Sequence, residues 1–280
     1  LFDTQIDSTN WEELEPQPPF YLFIPQDTSR LNEYNEFWKI SDVMNQNGDP
    51  APGIVTTHDQ FAISWSEQES KDKVFRFLET TSEDEARGLF RLCSQAQWNY
   101  DRAKRELSTV SWIKNIKPIL YRPFDVRWTI FDANVAVHRR KRVMRHMLAG
   151  ANIGFCTDRE VNGDFRHVLC TRQLIDDCTV SLQTKERTYI FPLYLYPAEG
   201  EMQFEGGRRP NLNPEFIKAV SDKLGLKFID DGRGDFEQTF GPEDIFNYAY
   251  AVFHSPTYRS RYAEFLKIDF PRLPITSDKE

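Results

Sequence analysis

Residues 119–150 read ILYRPFDVRWTIFDANVAVHRRKRVMRHMLAG, and their two textures decide the fold class. Ile119-Leu120-Tyr121 and Val126–Phe131 are β-prone runs. Between them, Arg122-Pro123-Phe124-Asp125 is turn-like, because Pro123 fixes φ and cannot donate to a ladder. From Arg140 to Leu148 the apolar Val143, Met144, Met147 and Leu148 recur at helical spacing, and Gly150 supplies a stop. Strand pairing followed at once by an amphipathic helix predicts an α+β fold. Charge sets the same stretch apart. Arg122 to His146 holds seven Arg/Lys and two Asp, a local +5 that leaves −13 for the rest of a chain whose net charge is −8. A basic island in an acidic protein draws polyanions to one place while the remainder repels them.

The island reads as facing DNA. Arg142, Arg145 and His146 share the polar helix face, and Arg139, Arg140 and Lys141 sit at its first turn, where free N–H groups beside guanidinium groups suit a phosphate. Arg122, Arg127 and Arg159 complete the candidate DNA-binding set. Arg127 follows a fixed turn on a strand and can reach a guanine edge through a bidentate pair. The competing reading of Arg127 is an ion pair with Asp125 or Asp132. For the island as a whole it is a solvated charged face, and charge alone weighs the two equally.

Composition bounds the rest. A chain of 280 residues with 40% hydrophobic and 14% aromatic side chains buries a real core, as one large domain or two smaller ones. No run approaches a membrane span, and no signal peptide is present; the chain opens on Leu1 and reads as an excised piece of something longer. Cys93, Cys156, Cys170 and Cys178 lack CxxC spacing, which favours reduced, buried thiols and a cytoplasmic location.

Outward from the island, residues 1–118 read as a connector and a helical part, and residues 119–280 as a strand-rich core with C-terminal helices. Leu1–Ser29 carries six acids and no Lys or Arg, then a strand at Phe20–Ile24. A short helix or turn is expected over Tyr34–Met44 and a strand pair over Ile54–Trp65. Ser66-x-x-Glu69 and Ser82-x-x-Glu85 are capping boxes opening two helices, with Glu69 expected on the Ser66 N–H. A third helix spans Trp98–Leu107. Beyond the island, strands are expected at Asn152–Cys156, Arg166–Thr171, Cys178–Leu182 and Tyr189–Tyr196. Helices then follow Asn213-Pro214, closed by Gly225, and begin at Pro242 and at Ser255-Pro256. Tyr258, Tyr262 and Phe265 should bury, with Arg259, Arg261 and Lys267 offsetting the acids of Asp230–Asp244.

Chemistry has few footholds. Asp59 with Glu69-Ser70-Lys71 resembles a D…E-x-K metal-nuclease arrangement, but a capping role for Glu69 excludes the strand geometry that chemistry needs. His167, Cys170 and Cys178 offer three zinc ligand types with only one close-spaced couple; buried strand cysteines are the default. No G-x-S-x-G, H-E-x-x-H or Walker loop exists.

Tyr121-Arg122-Pro123-Phe124-Asp125-Val126-Arg127 resembles the Y-R-P-F-D-x-R signature of type ISP and related single-chain restriction-modification enzymes. Asn211–Pro214, Asp244–Val252, the run His254–Lys267 and Asp269–Pro274 continue the likeness, which spans about Trp11 to Ile275 and corresponds to the C-terminal target-recognition region. The resemblance implies sequence-specific recognition of double-stranded DNA beside an upstream adenine N6-methyltransferase domain in the same polypeptide. For the parent it implies S-adenosylmethionine, ATP and Mg²⁺. This chain lacks the N-P-P-Y motif and a Gly-rich cofactor strand, so no catalytic residue, cofactor or metal is assigned to it. Family members run on past Glu280, which implies further elements there. Two other classes stay open: an inter-domain scaffold with an aromatic docking surface, and a small enzyme built on His58-Asp59 or His254-Ser255.

Overall fold

The computed structural model describes residues 5–11, 13, 14, 16, 21, 27–45, 50–94, 96–183, 186–198, 200 and 204–278. Apart from Tyr21, the strand expected at Phe20–Ile24 lies outside the described residues. Helices and sheets are mixed throughout, so the fold is α+β, as the central stretch predicts.

The short helix or turn expected over Tyr34–Met44 resolves into α1 (Leu31–Asn35), β1 (Trp38–Lys39) and α2 (Ile40–Val43). The apolar residues there bury in two directions, which one continuous helix cannot do: Tyr34 stacks on Phe265, while Trp38 meets Phe216 edge-on. After β2 (Ala51–Pro52), Gly53 passes so close to the Asp176 backbone that a Cβ would sit 2.3 Å from it. The strand pair expected over Ile54–Trp65 is not formed. Ile54, Val55 and Ser64 make single bridges to other segments, and α3 (Asp59–Ala62) occupies the middle.

Three capped helices follow. In α4 (Glu67–Glu79) the Ser66 hydroxyl accepts from the Glu69 N–H at 3.1 Å, and Ser70, Val74 and Phe77 face inward at i, i+4, i+7. In α5 (Glu83–Phe90) Ser82 caps Glu85 in the same way. The reciprocal contact lands one residue earlier than expected. Glu69 accepts from the Trp65 N–H at 2.8 Å and Glu85 from the Thr81 N–H at 2.7 Å, not from the capping serines. Each serine cap is worth about 1 kcal/mol. Asn99 caps α6 (Tyr100–Leu107), which buries Tyr100, Ala103 and Leu107.

The central stretch then forms an antiparallel hairpin of β3 (Ile116–Arg122) and β4 (Asp125–Ile130), joined by Pro123-Phe124. Next come α7 (Lys141–Leu148), β5 (Gly154–Asp158), β6 (Val168–Thr171), β7 (Leu174–Ile175), β8 (Thr188–Pro192) and β9 (Tyr194–Leu195). Two sheets result: β2-β8-β5-β6, antiparallel throughout, and β4-β3-β7, in which β3 and β7 run parallel. The strand expected at Cys178–Leu182 is a loop. Its amides are satisfied locally instead: the Cys178 N–H donates to Asp176 and the Val180 N–H to the Thr188 hydroxyl.

The C-terminal part adds β10 (Arg209–Pro210) and α8 (Pro214–Leu224), capped by Asn213 and closed by Gly225 at φ +65°. It continues through β11 (Lys227–Phe228), β12 (Thr239–Phe240), α9 (Pro242–His254), α10 (Pro256–Arg261), α11 (Ala263–Leu266) and β13 (Arg272–Leu273). Asp244 accepts from the Gly241 and Gly234 N–H groups at 2.9 and 2.7 Å, and Ser255 caps α10. Three hydrophobic clusters form the core. One joins Tyr34–Met44 to residues 155–273, a second spans Phe61 to Val135, and a third packs Ile54 and Ile63 on β3, α7 and β8. All three run across residues 118 and 119.

Candidate nucleic-acid interface

The hairpin arginines are held internally. Arg122 donates to Asp176 Oδ1 at 2.7 Å and to the Tyr121 carbonyl, and its guanidinium lies 3.8 Å from the Tyr121 ring centroid. Burial pushes the Asp176 carboxyl up to about 6, and the Arg122 charge recovers part of that cost. Arg127 grips Asp125 through Nε, 3.1 and 3.0 Å from the two carboxylate oxygens, and Nη2, 2.9 Å from Oδ2. Its guanidinium is sandwiched, 3.6 Å from the Trp65 ring and 4.8 Å from Tyr121. Tyr121 in turn donates to Asp59 at 2.6 Å, and burial, helped by this hydrogen bond, raises its phenol to about 12. One face of the hairpin is thus a ladder of alternating rings and guanidinium groups, capped by Trp65, which is 69% exposed.

Trp65 and Phe124 are the residues that sequence reasoning did not single out. Phe124 occupies the second turn position with φ +62°, a region a bulky side chain enters only at a cost, and is 92% exposed. A Pro followed by a non-glycine residue in a two-residue turn was the available signal. For Trp65 there was none, since only tertiary folding brings it to Arg127.

The helix start is built differently. Arg140 is the residue before α7 and adopts φ +49° with no side-chain cap, and the first turn carries no acid. Helices α4, α5, α6 and α8 have a side-chain cap and at least one acidic residue in the first turn. Here Lys141 and Arg142 are exposed at the positive end of the helix dipole, where cations are disfavoured and anions favoured. Among the described residues, no carboxylate lies within ion-pair distance of Arg139, Arg140 or Lys141, although the Arg140 charge is near enough to Asp177 to favour its ionised form. Arg139 reaches the Phe131 carbonyl at 3.5 Å, and the Arg140 Nε is buried without a hydrogen-bond partner.

The remaining candidates scatter. Arg145 donates to the Tyr196 carbonyl at 3.0 Å, and His146, on the polar face by sequence, is buried with Nδ1 accepting from the Tyr196 N–H. Arg159 pairs with Asp269 at 3.1 Å, which Lys39 also approaches at 2.6 Å. The C-terminal cations find other partners than the acids of Asp230–Asp244. Arg261 binds Glu33, Lys267 binds Glu264, and Arg259 donates to the Phe253 carbonyl, while Asp231 and Asp244 are met by Arg208 and Arg233. Tyr258, Tyr262 and Phe265 are buried as expected.

No hydrolytic constellation assembles on the sequence-picked histidines. His58 is buried against Phe61 and Trp98, hydrogen-bonds the Val135 carbonyl at 2.7 Å, and has its pKa lowered by burial. Asp59 accepts from Thr56 and Tyr121, and Glu69 stands on a helix, so the D…E-x-K arrangement is absent. His254 turns to the Tyr250 carbonyl while Ser255 caps a helix. His167, Cys170 and Cys178 do not form a common ligand cluster, all four cysteines are free, and Cys170 is exposed. Among the described residues no helix is long and apolar enough to cross a membrane.

The same fold occurs in larger proteins solved with DNA. A cryo-EM DrdV–DNA complex matches with TM-score 0.69 and 24% identity, over 99% of this chain and 27% of that one. A nuclease-deletion mutant of the Type ISP restriction-modification enzyme LlaGI, in complex with a DNA substrate mimic, matches with TM-score 0.62 and 18% identity, over 96% and 24%. The ATP-dependent Type ISP restriction-modification enzyme LlaBIII bound to DNA matches with TM-score 0.60 and 17% identity, over 88% and 16%. This chain therefore spans about a quarter or less of each. No protein of curated function matches it. The family model for the Type ISP C-terminal specificity domain matches residues 43–280, taking in the hairpin, the helix start and every element after them, and the chain belongs to that family.

Proposed function

We propose that this domain recognises a DNA target within a restriction-modification enzyme, and that duplex phosphates dock at the start of α7. Membership of the specificity-domain family over residues 43–280 carries the reading. Arg139, Arg140 and Lys141, at a helix N-terminus with no side-chain cap and no acid in its first turn, support placing the contact there. Backbone contacts of this kind fix register and carry no sequence information themselves. Base reading falls to the hairpin, where Arg127 is held rigid by Asp125 and Trp65, and where Phe124 projects far enough to act as an apolar wedge.

The domain serves an upstream adenine N6-methyltransferase in the same polypeptide, located in the cytoplasm, with S-adenosylmethionine bound there and ATP and Mg²⁺ used by further domains. Its task is to hold the duplex while the target adenine is turned out of the stack. The test is binding to duplex DNA over a range of salt. Neutralising Arg139, Arg140 and Lys141 together is expected to weaken binding to all sequences alike and to flatten the salt dependence. Unchanged affinity and slope would return the island to a solvated face. An N-P-P-Y motif encoded upstream of Leu1 would support the methyltransferase assignment.

A further inference from the structure

We propose that Asp158, His167 and Glu186 form a binding site for one divalent transition-metal ion of the Zn²⁺ or Mn²⁺ class, fastening the end of the central sheet. The strand register assembles it from three separate segments. Asp158 is the last residue of β5 and pairs across to Thr188 on β8. Glu186 lies two residues before Thr188, so alternation puts it on the same face. On the other side β5 pairs with β6 up to Thr157↔Val168, and the next step along that register sets His167 beside Asp158. One ligand atom from each of the three lies within 4.8 Å of the other two. The His167 Nε2 to Glu186 Oε2 distance is 3.5 Å, close to the edge of about 3.4 Å that metal bonds of about 2.1 Å give in a tetrahedron.

The second observation is what these groups lack. Asp158 is 1% exposed and Glu186 3%, yet both Asp158 oxygens and Glu186 Oε2 have no hydrogen-bond partner of ordinary geometry among the described residues. Glu186 Oε1 accepts from the Asn162 N–H, and the Thr188 hydroxyl lies near enough to Asp158 to temper its environment. Among the described residues no Lys or Arg makes ion-pair contact with these two neighbouring buried carboxylates, which are costly to bury unless a cation or protons neutralise them. Burial disfavours the charged form of both groups, raising the Asp158 pKa and lowering that of His167. One imidazole nitrogen with carboxylate oxygens suits Zn²⁺ or Mn²⁺ better than Ca²⁺ or Mg²⁺, which prefer oxygen alone.

Proton bookkeeping follows from the ring's contacts. The Arg166 N–H donates to His167 Nδ1 at 3.2 Å, which leaves the metal-free ring protonated on Nε2, facing Glu186. A metal on Nε2 displaces that proton, the ring carries its hydrogen on Nδ1, and the exposed Arg166 segment gives up its weak contact.

The experiment strips the full 280-residue chain with chelator, then adds Zn²⁺ or Mn²⁺ while metal content and thermal unfolding are measured. The expected result is one equivalent retained after desalting and a melting temperature several degrees higher with metal than without. Asp158→Asn and His167→Gln should each abolish both. Asp158→Asn removes a buried charge, so it should fold without metal at least as well as the stripped wild type; His167→Gln supplies the answer if it does not. Absence of any retained metal or shift in the wild type overturns the site, as does a shift that persists in both variants. No DNA enters these measurements, so their outcome is independent of the DNA reading.

Discussion

The two halves of one basic stretch carry similar residues in opposite states. In the hairpin, Arg122 and Arg127 are matched to Asp176 and Asp125 and wedged between rings. Fifteen or so residues on, Arg139, Arg140 and Lys141 have no ion-pair partner among the described residues and sit where the helix dipole is already positive. The lesson is that a charge count locates a surface but does not say which charges are available to a ligand. A neutralised arginine is a rigid part and an uncompensated one is a docking charge. Specificity wants the first and non-specific affinity the second.

The sharpest way to break that contrast is Arg122→Met. Its side chain and that of Asp176 are largely buried, so removing one partner should cost about 3–5 kcal/mol of stability, read by denaturant unfolding. The sign with pH is fixed by Asp176. Its folded-state pKa, about 6, lies above the unfolded value, so in the wild type the proton-linked stability of this group is lost as pH rises from about 4 through 6. In the variant the carboxyl holds its proton to still higher pH, so its deficit should grow above pH 6 and shrink below it. A deficit independent of pH would mean that the loss is packing alone.

Combined Arg139→Gln, Arg140→Gln and Lys141→Gln probes the other half. The slope of log K against log salt is expected to fall by about 0.9 per phosphate contact, about 2.7 if all three touch phosphate, with the melting temperature unmoved. Unfolding of that variant at a lower temperature would show that the helix start is structural after all.

Arg127→Ala should be milder. Arg127 is as covered as Arg122, but its partner Asp125 is 30% exposed where Asp176 is 7%, so losing that pair together with the Trp65 contact is worth about 1 kcal/mol of stability. If Arg127 turns to a guanine in the complex, binding to the cognate site should weaken by about 1–3 kcal/mol while random duplexes hardly change. An equal loss on all duplexes would place it with the phosphate contacts and blur the contrast.

The smallest effect is expected at the hairpin tip. Phe124→Gly relieves a positive φ and removes an exposed ring, so stability should hold or rise by about 0.5–1 kcal/mol. Affinity for DNA should nonetheless drop if the ring is a wedge. Unaltered binding would make the tip a passive turn.

The sequence made local features legible and left assembled ones hidden. Ser66, Ser82, Asn213 and Ser255 were readable as helix starts, because a cap is settled within three residues. The hairpin and its Asp125–Arg127 pair were readable for the same reason. Misreadings fell where long-range packing outvoted propensity. Residues 178–182 have strand composition, but their hydrogen bonds are satisfied locally, and the Thr179 hydroxyl donates to the Leu120 carbonyl of β3. Residues 54–65 alternate like a strand but bridge to three different partners in turn. The Trp65–Arg127–Tyr121 ladder and the Asp158–His167–Glu186 cluster were beyond reach, since both exist only once distant segments are in register.

One pairing also dictates a timetable. Trp38↔Leu273 and Lys39↔Arg272 join the two ends of the described chain, with Glu33 bound to Arg261 and Tyr262 beside them. During synthesis from the N-terminus, α1 and β1 must wait until Tyr262, Phe265 and Leu273 have left the ribosome, whereas the cluster of Phe61 to Val135 is complete far earlier. The nascent domain thus exposes Tyr34 and Trp38 longest, and a translational pause before the codon for Arg272 would prolong the interval in which chaperones, or other unfinished chains, compete for them.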